Sequence, residues 1–198
     1  MTEKKTYKLS ATIINTWKYY LENPSKRSFD SIVSAVRGEF KHNKWTRRGM
    51  KYEDEVYEGK HGKVSQLVEH MAKQEWCSDT IDKGEFFVRL SGKTDAIDKQ
   101  KKIIIDIKRV DTFAKEKYDY SFQHTLYFYL NPEMQNFYYV VVEGKDNEIT
   151  GEHVISKRRP SREELEKEVH AHIDGFIEFL KENNLWEEFK ANQEYKGR

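Results

Sequence analysis

The stretch Gly92-Lys93-Thr94-Asp95-Ala96-Ile97-Asp98, continued after the turn-like Lys99–Lys102 by Ile103-Ile104-Ile105-Asp106-Ile107-Lys108, decides the fold. Side chains along a strand alternate between its two faces. That period points Ile103, Ile105 and Ile107 into a core and turns Ile104, Asp106 and Lys108 the other way. A carboxylate and an ammonium thereby project side by side from the end of a buried strand. If the runs flanking Lys99–Lys102 form a hairpin, Asp95 and Asp106 converge from neighbouring strands. Two carboxylates and the backbone carbonyl of Ile107 are hard oxygen ligands suited to Mg²⁺ or Mn²⁺. A lysine beside such a metal can orient an attacking water or stabilise charge on a pentavalent phosphate.

The acid-x-Lys triplet alone carries little, because seven occur, at Glu3, Glu39, Glu58, Asp106, Glu143, Glu188 and Glu194. A solvated surface pair accounts for most of them. Only those at Asp106 and Glu143 end apolar strand runs, and Glu143-Gly144-Lys145 runs into a turn with no Gly-x-x-Asp one strand earlier. Context therefore selects Asp106 and Lys108.

Outward from this stretch, Glu85–Ser91 and Thr94–Asp98 read as strands before Ile103–Lys108. Upstream, about Thr46 to Lys73 reads as helix, with Tyr52, Val56, Val64, Leu67, Val68 and Met71 as apolar positions and a break at Gly59–Gly62. Leu9 to Leu21 reads as an N-terminal helix capped by Ser10 or Thr12 and stopped before Pro24. Downstream, Tyr118–Leu130 reads as helix, Phe137–Glu143 as a buried strand, and Asn147–Ile155 as its partner across Gly144-Lys145-Asp146. Ser161-Arg162-Glu163-Glu164 is a capping box. It opens an amphipathic helix, about 161–183, whose stripe of Leu165, Val169, Ile173, Phe176, Ile177 and Leu180 must be buried, on the free face of the sheet or on another subunit. The order predicts a single domain over 1–198 with a core at about 46–155, of α/β (α+β) class: a central mixed sheet flanked by helices.

Composition narrows the possibilities. Charged residues make up 35% of the 198 and hydrophobic ones 37%, a heavily charged globular make-up. The 27 aromatics supply burial that a disordered chain lacks. No apolar run approaches a membrane span and Met1–Lys8 has no signal-peptide core, so a cytoplasmic location, without membrane partners, is the expectation. Cys77 is the one cysteine and cannot by itself anchor a disulfide, a zinc–cysteine site or an iron–sulfur cluster; a buried thiol is expected. No Gly-rich phosphate loop occurs, which argues against an ATP-driven motor. Residues 1–162 carry 30 Lys/Arg against 24 Asp/Glu, whereas 163–198 carry 5 against 10. Within the basic part, Lys41 to Lys51 holds five cations (Lys41, Lys44, Arg47, Arg48, Lys51) and no acid. Such a stretch beside Trp45 suits a phosphate backbone, or else forms a solvated loop and helix start. His153, His170 and His172 read as surface or packing residues.

Gly92-Lys93-Thr94-Asp95, ten residues, then Asp106-Ile107-Lys108 resembles the PD-(D/E)XK nuclease superfamily, in its RecB-like, phage-type exonuclease branch. Gln123-His124-Thr125-Leu126-Tyr127 is similar to that branch's Gln-x-x-x-Tyr helix, and Gly49-Met50-Lys51-Tyr52-Glu53 to its upstream glycine and acid. Leu9-Ser10-Ala11-Thr12 through Asn23-Pro24 is similar to the segment leading to Cys-Pro in iron–sulfur members. Asn23 stands in place of that cysteine, which excludes the cluster. Thr94 stands where the family name places a proline.

The resemblance implies a restriction-endonuclease-like αβββαβ core with extra N- and C-terminal helices. It implies that Asp95, Asp106, the Ile107 carbonyl and Glu53 bind Mg²⁺ or Mn²⁺, Glu53 directly or through water. Lys108 is then the catalytic lysine, and Gln123 and Tyr127 position the substrate backbone or that lysine. DNA contacts are expected from Lys44, Arg47, Arg48, Lys51 and Arg109. The implied activity is metal-dependent DNA hydrolysis by a stand-alone exonuclease of recombination or phage DNA metabolism, in a bacterial or phage-infected cytoplasm, as a homo-oligomer or with a recombination partner protein. A restriction-type endonuclease and an inactive DNA- or protein-binding module on the same fold are the alternatives.

Overall fold

The computed structural model describes residues 4–39, 44–145 and 148–197. Strand β1 (Thr6–Ser10) leads into helix α1 (Ala11–Glu22), and α2 (Lys26–Val36), α3 (Lys44–Tyr57) and α4 (Gly62–Val68) follow. Five strands come next: β2 (Ala72–Lys73), β3 (Trp76–Asp82), β4 (Phe87–Lys93), β5 (Ala96–Asp98) and β6 (Ile103–Val110). Helices α5 (Glu116–Asp119) and α6 (Gln123–Leu130), strands β7 (Asn136–Glu143) and β8 (Gly151–Arg158), and helices α7 (Arg162–Glu182) and α8 (Trp186–Gln193) complete the order. This is a mixed α/β architecture. The expected αβββαβ order is present as α3–α4, β4, β5, β6, α5–α6 and β7.

The strands form two sheets, ordered β1-β4-β3 and β2-β5-β6-β7-β8. β5 and β6 are the expected antiparallel hairpin, with Ala96 opposite Ile105. β6 and β7 run parallel, with Asp106 opposite Tyr139. A parallel pair needs a crossover, and α5–α6 provides it.

Burial explains the isoleucine run. Ile105 and Ile107 pack with Tyr52, Val56, Val64 and Val68 of α3–α4, whereas Ile104 packs with Tyr127, Phe128, Phe137 and Tyr139 beneath α6. Both faces of β6 are therefore covered, as parallel strands require, the face that carries Ile104 and Asp106 included. Helix α6 packs on two sides, because Leu126 and the preceding Phe122 join a separate cluster built on α1, α7 and the three-stranded sheet.

Several expectations need correction. The run Glu85–Ser91 corresponds to β4 but belongs to the other sheet, so it does not neighbour β6. β1, β2, β3, α2 and α8 have no counterpart in the sequence reading, and the helix expected as far as Lys73 ends at Val68, before β2. β3 is an edge strand in which Ile81 is the buried position, so it has no apolar period to detect. Tyr118–Leu130 is two helices, broken at Tyr120–Phe122, and Leu67 is 53% exposed rather than buried. The strand expected from Asn147 spans Gly151–Arg158, and Asp146 and Asn147 lie outside the described residues.

Ser10 caps α1, accepting from Ile13 N, and the Ser161–Glu164 capping box is formed. The α7 stripe is buried: Val169, Ile173, Phe176 and Leu180 join Trp17, Leu9 and Leu90 on the side of the three-stranded sheet. Tyr195 N donates to Thr6 O at 2.8 Å, and Tyr7 bridges to Glu194, so the C-terminal segment covers the β1 edge.

Candidate active site

The chain changes sheet twice at one place. Gln74 and Glu75 carry it from β2 to β3, and Thr94 and Asp95 carry it from β4 to β5. These two crossings run side by side: Thr94 N donates to Glu75 O at 3.0 Å and Gln74 N to Asp95 O at 3.0 Å. Asp95 thus lies in the seam between the sheets. It also lies one residue before the β5–β6 pairing, which sets it beside Asp106, and its Oδ2 accepts from Ile107 N at 2.7 Å.

Asp106 is 1% exposed. Its Oδ1 accepts from Gln123 Nε2 at 2.6 Å. Its Oδ2 lies 2.7 Å from Lys108 Nζ, yet it has no aligned hydrogen-bond donor, so the contact is an ion pair only. The Lys108 side chain retains 35% exposure. Burial, and then the neighbouring charge of Asp106, pushes the Asp95 carboxyl up from its ordinary range. Burial pushes Asp106 up as well, against the opposing pull of Lys108. For Lys108 burial acts downward, but the anionic Asp106 and Asp95 outweigh it and raise the ammonium.

Glu53 reaches the seam from α3. Its Oε1 accepts from Tyr57 Oη at 2.6 Å and from Gln74 Nε2 at 3.1 Å, and Tyr57 Oη also lies 2.7 Å from Asp95 O. Tyr57, one helical turn after Glu53, was findable by its i,i+4 spacing; Gln74 was not, because only the sheet crossing brings it there. Tyr127 touches neither Lys108 nor a carboxylate through its hydroxyl: Oη donates to Lys93 O at 2.7 Å and so ties α6 to the end of β4.

The basic residues divide into two groups. Arg48 forms a close ion pair with Asp111, its guanidinium 5.1 Å over Trp45, and Arg109 donates to Val142 O at 3.2 Å and Glu148 O at 2.6 Å. Both are built into the protein. Arg47, Lys44 and Lys51 are exposed, Lys51 at 3.6 Å from Glu55 and Lys44 at 5.9 Å over Trp45. Lys41, His42 and Asn43 lie outside the described residues.

The other singled-out side chains are accounted for by packing. His153 lies 3.0 Å from Glu143 and stacks on Phe113 at 3.9 Å. His172 stacks on Phe122 at 4.2 Å. Cys77 is only partly buried, its Sγ 3.5 Å from Gly92 O, and burial raises its thiol.

The donor set suits a hard divalent cation. Asp95 and Asp106 are adjacent carboxylates, Asp106 beside the Lys108 ammonium, and the Asp106 Oδ2 has lone pairs that no aligned donor satisfies. Among the described residues, however, no three His, Cys, Asp or Glu side chains stand close enough together to form a complete metal-ligating group. A cleft of about 510 Å³ borders the site at Gln123, with Lys18, Lys117, Glu22, Glu116, Tyr19 and Tyr120 on its walls. Among the described residues no helix is long and apolar enough to cross a membrane.

No family model and no curated protein matches the chain. Solved structures do. The crystal structure of LHK-Exo in complex with dAMP aligns with a TM-score of 0.58 at 12% identity, over 92% of each chain. A crystal structure of the same alkaline exonuclease, from Laribacter hongkongensis, aligns with a TM-score of 0.54 at 15% identity, over 89% of this chain and 93% of that one. The chain is thus similar in fold, over nearly its whole length, to an alkaline exonuclease.

Proposed function

We propose that this chain is a metal-dependent deoxyribonuclease that hydrolyses DNA phosphodiester bonds from an end, as a stand-alone exonuclease. The observation that carries this reading is the juxtaposition of Asp95 and Asp106 beside Lys108, at the seam of two sheets and within a strand, β6, that is covered on both faces. Mg²⁺ or Mn²⁺ bound by Asp95, Asp106 and the Ile107 carbonyl, with Glu53 directly or through water, supplies activation of a water and neutralisation of phosphate charge. Gln123, donating to Asp106 Oδ1, fixes the rotation of that carboxylate. Tyr127 fixes the helix that carries Gln123. The partly exposed Lys108 ammonium stabilises negative charge developing on the phosphate.

The exposed Arg47, Lys44 and Lys51 neutralise backbone phosphates, and the cleft walled by Lys18, Tyr19, Lys117 and Tyr120 admits the strand. The exonuclease choice is supported by the shared fold with an alkaline exonuclease, one structure of which holds dAMP.

Incubating the protein with linear and covalently closed circular DNA, in Mg²⁺ or in EDTA, tests the reading. Degradation of the linear form only, and only in Mg²⁺, is expected. Equal cleavage of the circle makes the protein an endonuclease, and no cleavage of either makes it a binding module.

A further inference from the structure

We propose that Gln74 is a positioning residue for Glu53, aiming that carboxylate at the metal site; the inference rests on the metal-dependent nuclease reading. Gln74 has a φ of +56°, a left-handed backbone that a residue with a Cβ adopts only when its surroundings hold it there. Three contacts hold it. Its N–H donates to Asp95 O at 3.0 Å, its Nε2 donates to Glu53 Oε1 at 3.1 Å, and its Oε1 accepts from Lys93 Nζ at 2.8 Å.

The orientation of the amide follows from the charges on either side. The opposite assignment would set the NH₂ against an ammonium and the carbonyl against a carboxylate, two repulsive contacts in place of two attractive ones. Lys93 therefore orients Gln74, and Gln74 orients Glu53. With Tyr57 Oη at 2.6 Å, Gln74 occupies Glu53 Oε1 and leaves Oε2 as the oxygen available to the site. The same residue bonds the main chain of Asp95 and the side chain of Glu53, so it sets the separation of two proposed ligands that come from α3 and from the sheet seam.

Outer-shell partners of this kind change metal affinity by roughly 10–100-fold when removed. The test measures Ca²⁺ binding by calorimetry and the Mg²⁺ dependence of cleavage, for wild type, Gln74→Leu, Lys93→Met, Glu53→Gln and the double variant Gln74→Leu/Glu53→Gln. Gln74→Leu is expected to weaken Ca²⁺ binding and to raise the Mg²⁺ concentration for half-maximal cleavage, each by about 10-fold or more, with recovery of rate at high Mg²⁺. Lys93→Met, which keeps the amide but frees it, acts in the same direction and less strongly. Adding Gln74→Leu to Glu53→Gln is expected to change neither measure further, since the first acts through the second. A wild type that binds Ca²⁺ and cleaves, beside Gln74→Leu and Lys93→Met variants with unchanged metal dependence, overturns this proposal and leaves the nuclease standing. A wild type that neither binds Ca²⁺ nor cleaves overturns both.

Discussion

The ring of Tyr127 lies against Gly92, so closely that a Cβ on the glycine would stand 2.6 Å from the ring's Cε1. With Tyr127 Oη on Lys93 O at 2.7 Å, the tyrosine grips two consecutive residues of β4. The Gly-x-x-Asp and Gln-x-x-x-Tyr patterns, 31 positions apart at Gly92 and Gln123, are thereby two sides of one contact. The glycine admits the ring, the ring sets α6 against β4, and α6 delivers Gln123 to Asp106.

Gly92→Ala should therefore damage more than its size suggests. Tyr127 is 3% exposed and has no room to swing away, so the added methyl overpacks the contact. A loss of about 1–3 kcal/mol in denaturant midpoint experiments is expected, together with reduced cleavage as Gln123 is displaced. Tyr127→Leu in the same chain should return part of the stability, giving a clear coupling in the double-mutant cycle. A Gly92→Ala protein as stable and active as wild type would show that the ring is not held against β4.

Lys108→Ala and Asp106→Asn should each lower Mg²⁺-dependent cleavage by at least about 10²–10³-fold while circular dichroism reports an intact fold. Asp95→Asn should weaken metal binding by removing one anionic ligand. The two position-108 and -106 variants differ in stability without metal. Lys108→Ala leaves the Asp106 carboxylate buried without its ammonium and destabilises, whereas Asp106→Asn removes the buried carboxylate and leaves a Lys108 ammonium that is partly exposed to water. Cleavage at the wild-type rate by either folded variant would refute the site.

How much of this was legible beforehand depends on what made each feature. Asp106 and Lys108 could be read because they follow the unbroken apolar run Ile103–Ile105, and Ser10 and Ser161 because capping needs only local chemistry. The extent of Asp106 burial was hidden, since nothing in β6 itself says that α6 closes its second face. β3 was hidden because its outward residues, Trp76 among them at 72% exposure, face no apolar partner. Gln74 was hidden for a different reason: its place is set by where the chain leaves one sheet for another. The basic stretch was legible as charge but not as contact, because the ion pair of Arg48 with Asp111 joins residues far apart in sequence.

That division changes which cations should be tested for DNA. Neutralising Arg48 strands Asp111 and loosens the packing on Trp45, so a loss of binding there would report structure. Arg47 and Lys51 are exposed, and Arg47→Gln/Lys51→Gln should weaken DNA binding and flatten its salt dependence by about one unit of slope per lost phosphate contact. Binding measured from low to moderate salt supplies the slope; a slope equal to that of wild type would return these residues to a solvated helix face.

His124 should make the fold acid-sensitive. It sits in the first turn of α6 next to Gln123, with Nδ1 3.1 Å from Tyr139 Oη, which itself donates to Ser121 Oγ at 3.1 Å. Burial, and then the charge of Lys157, lowers its imidazole from 6.5 to about 4, with Asp119 pulling weakly the other way. Between those values the unfolded chain binds a proton at this position that the folded chain does not. Stability at this site is therefore fully present above about pH 6.5 and is lost as the pH falls toward 4, by no more than about 3 kcal/mol. Denaturant midpoints at pH 7 and pH 4.5 should thus differ more for wild type than for His124→Gln, which has no proton to take up. If the two proteins lose the same stability over that interval, the acid response arises elsewhere and His124 is not the group that titrates.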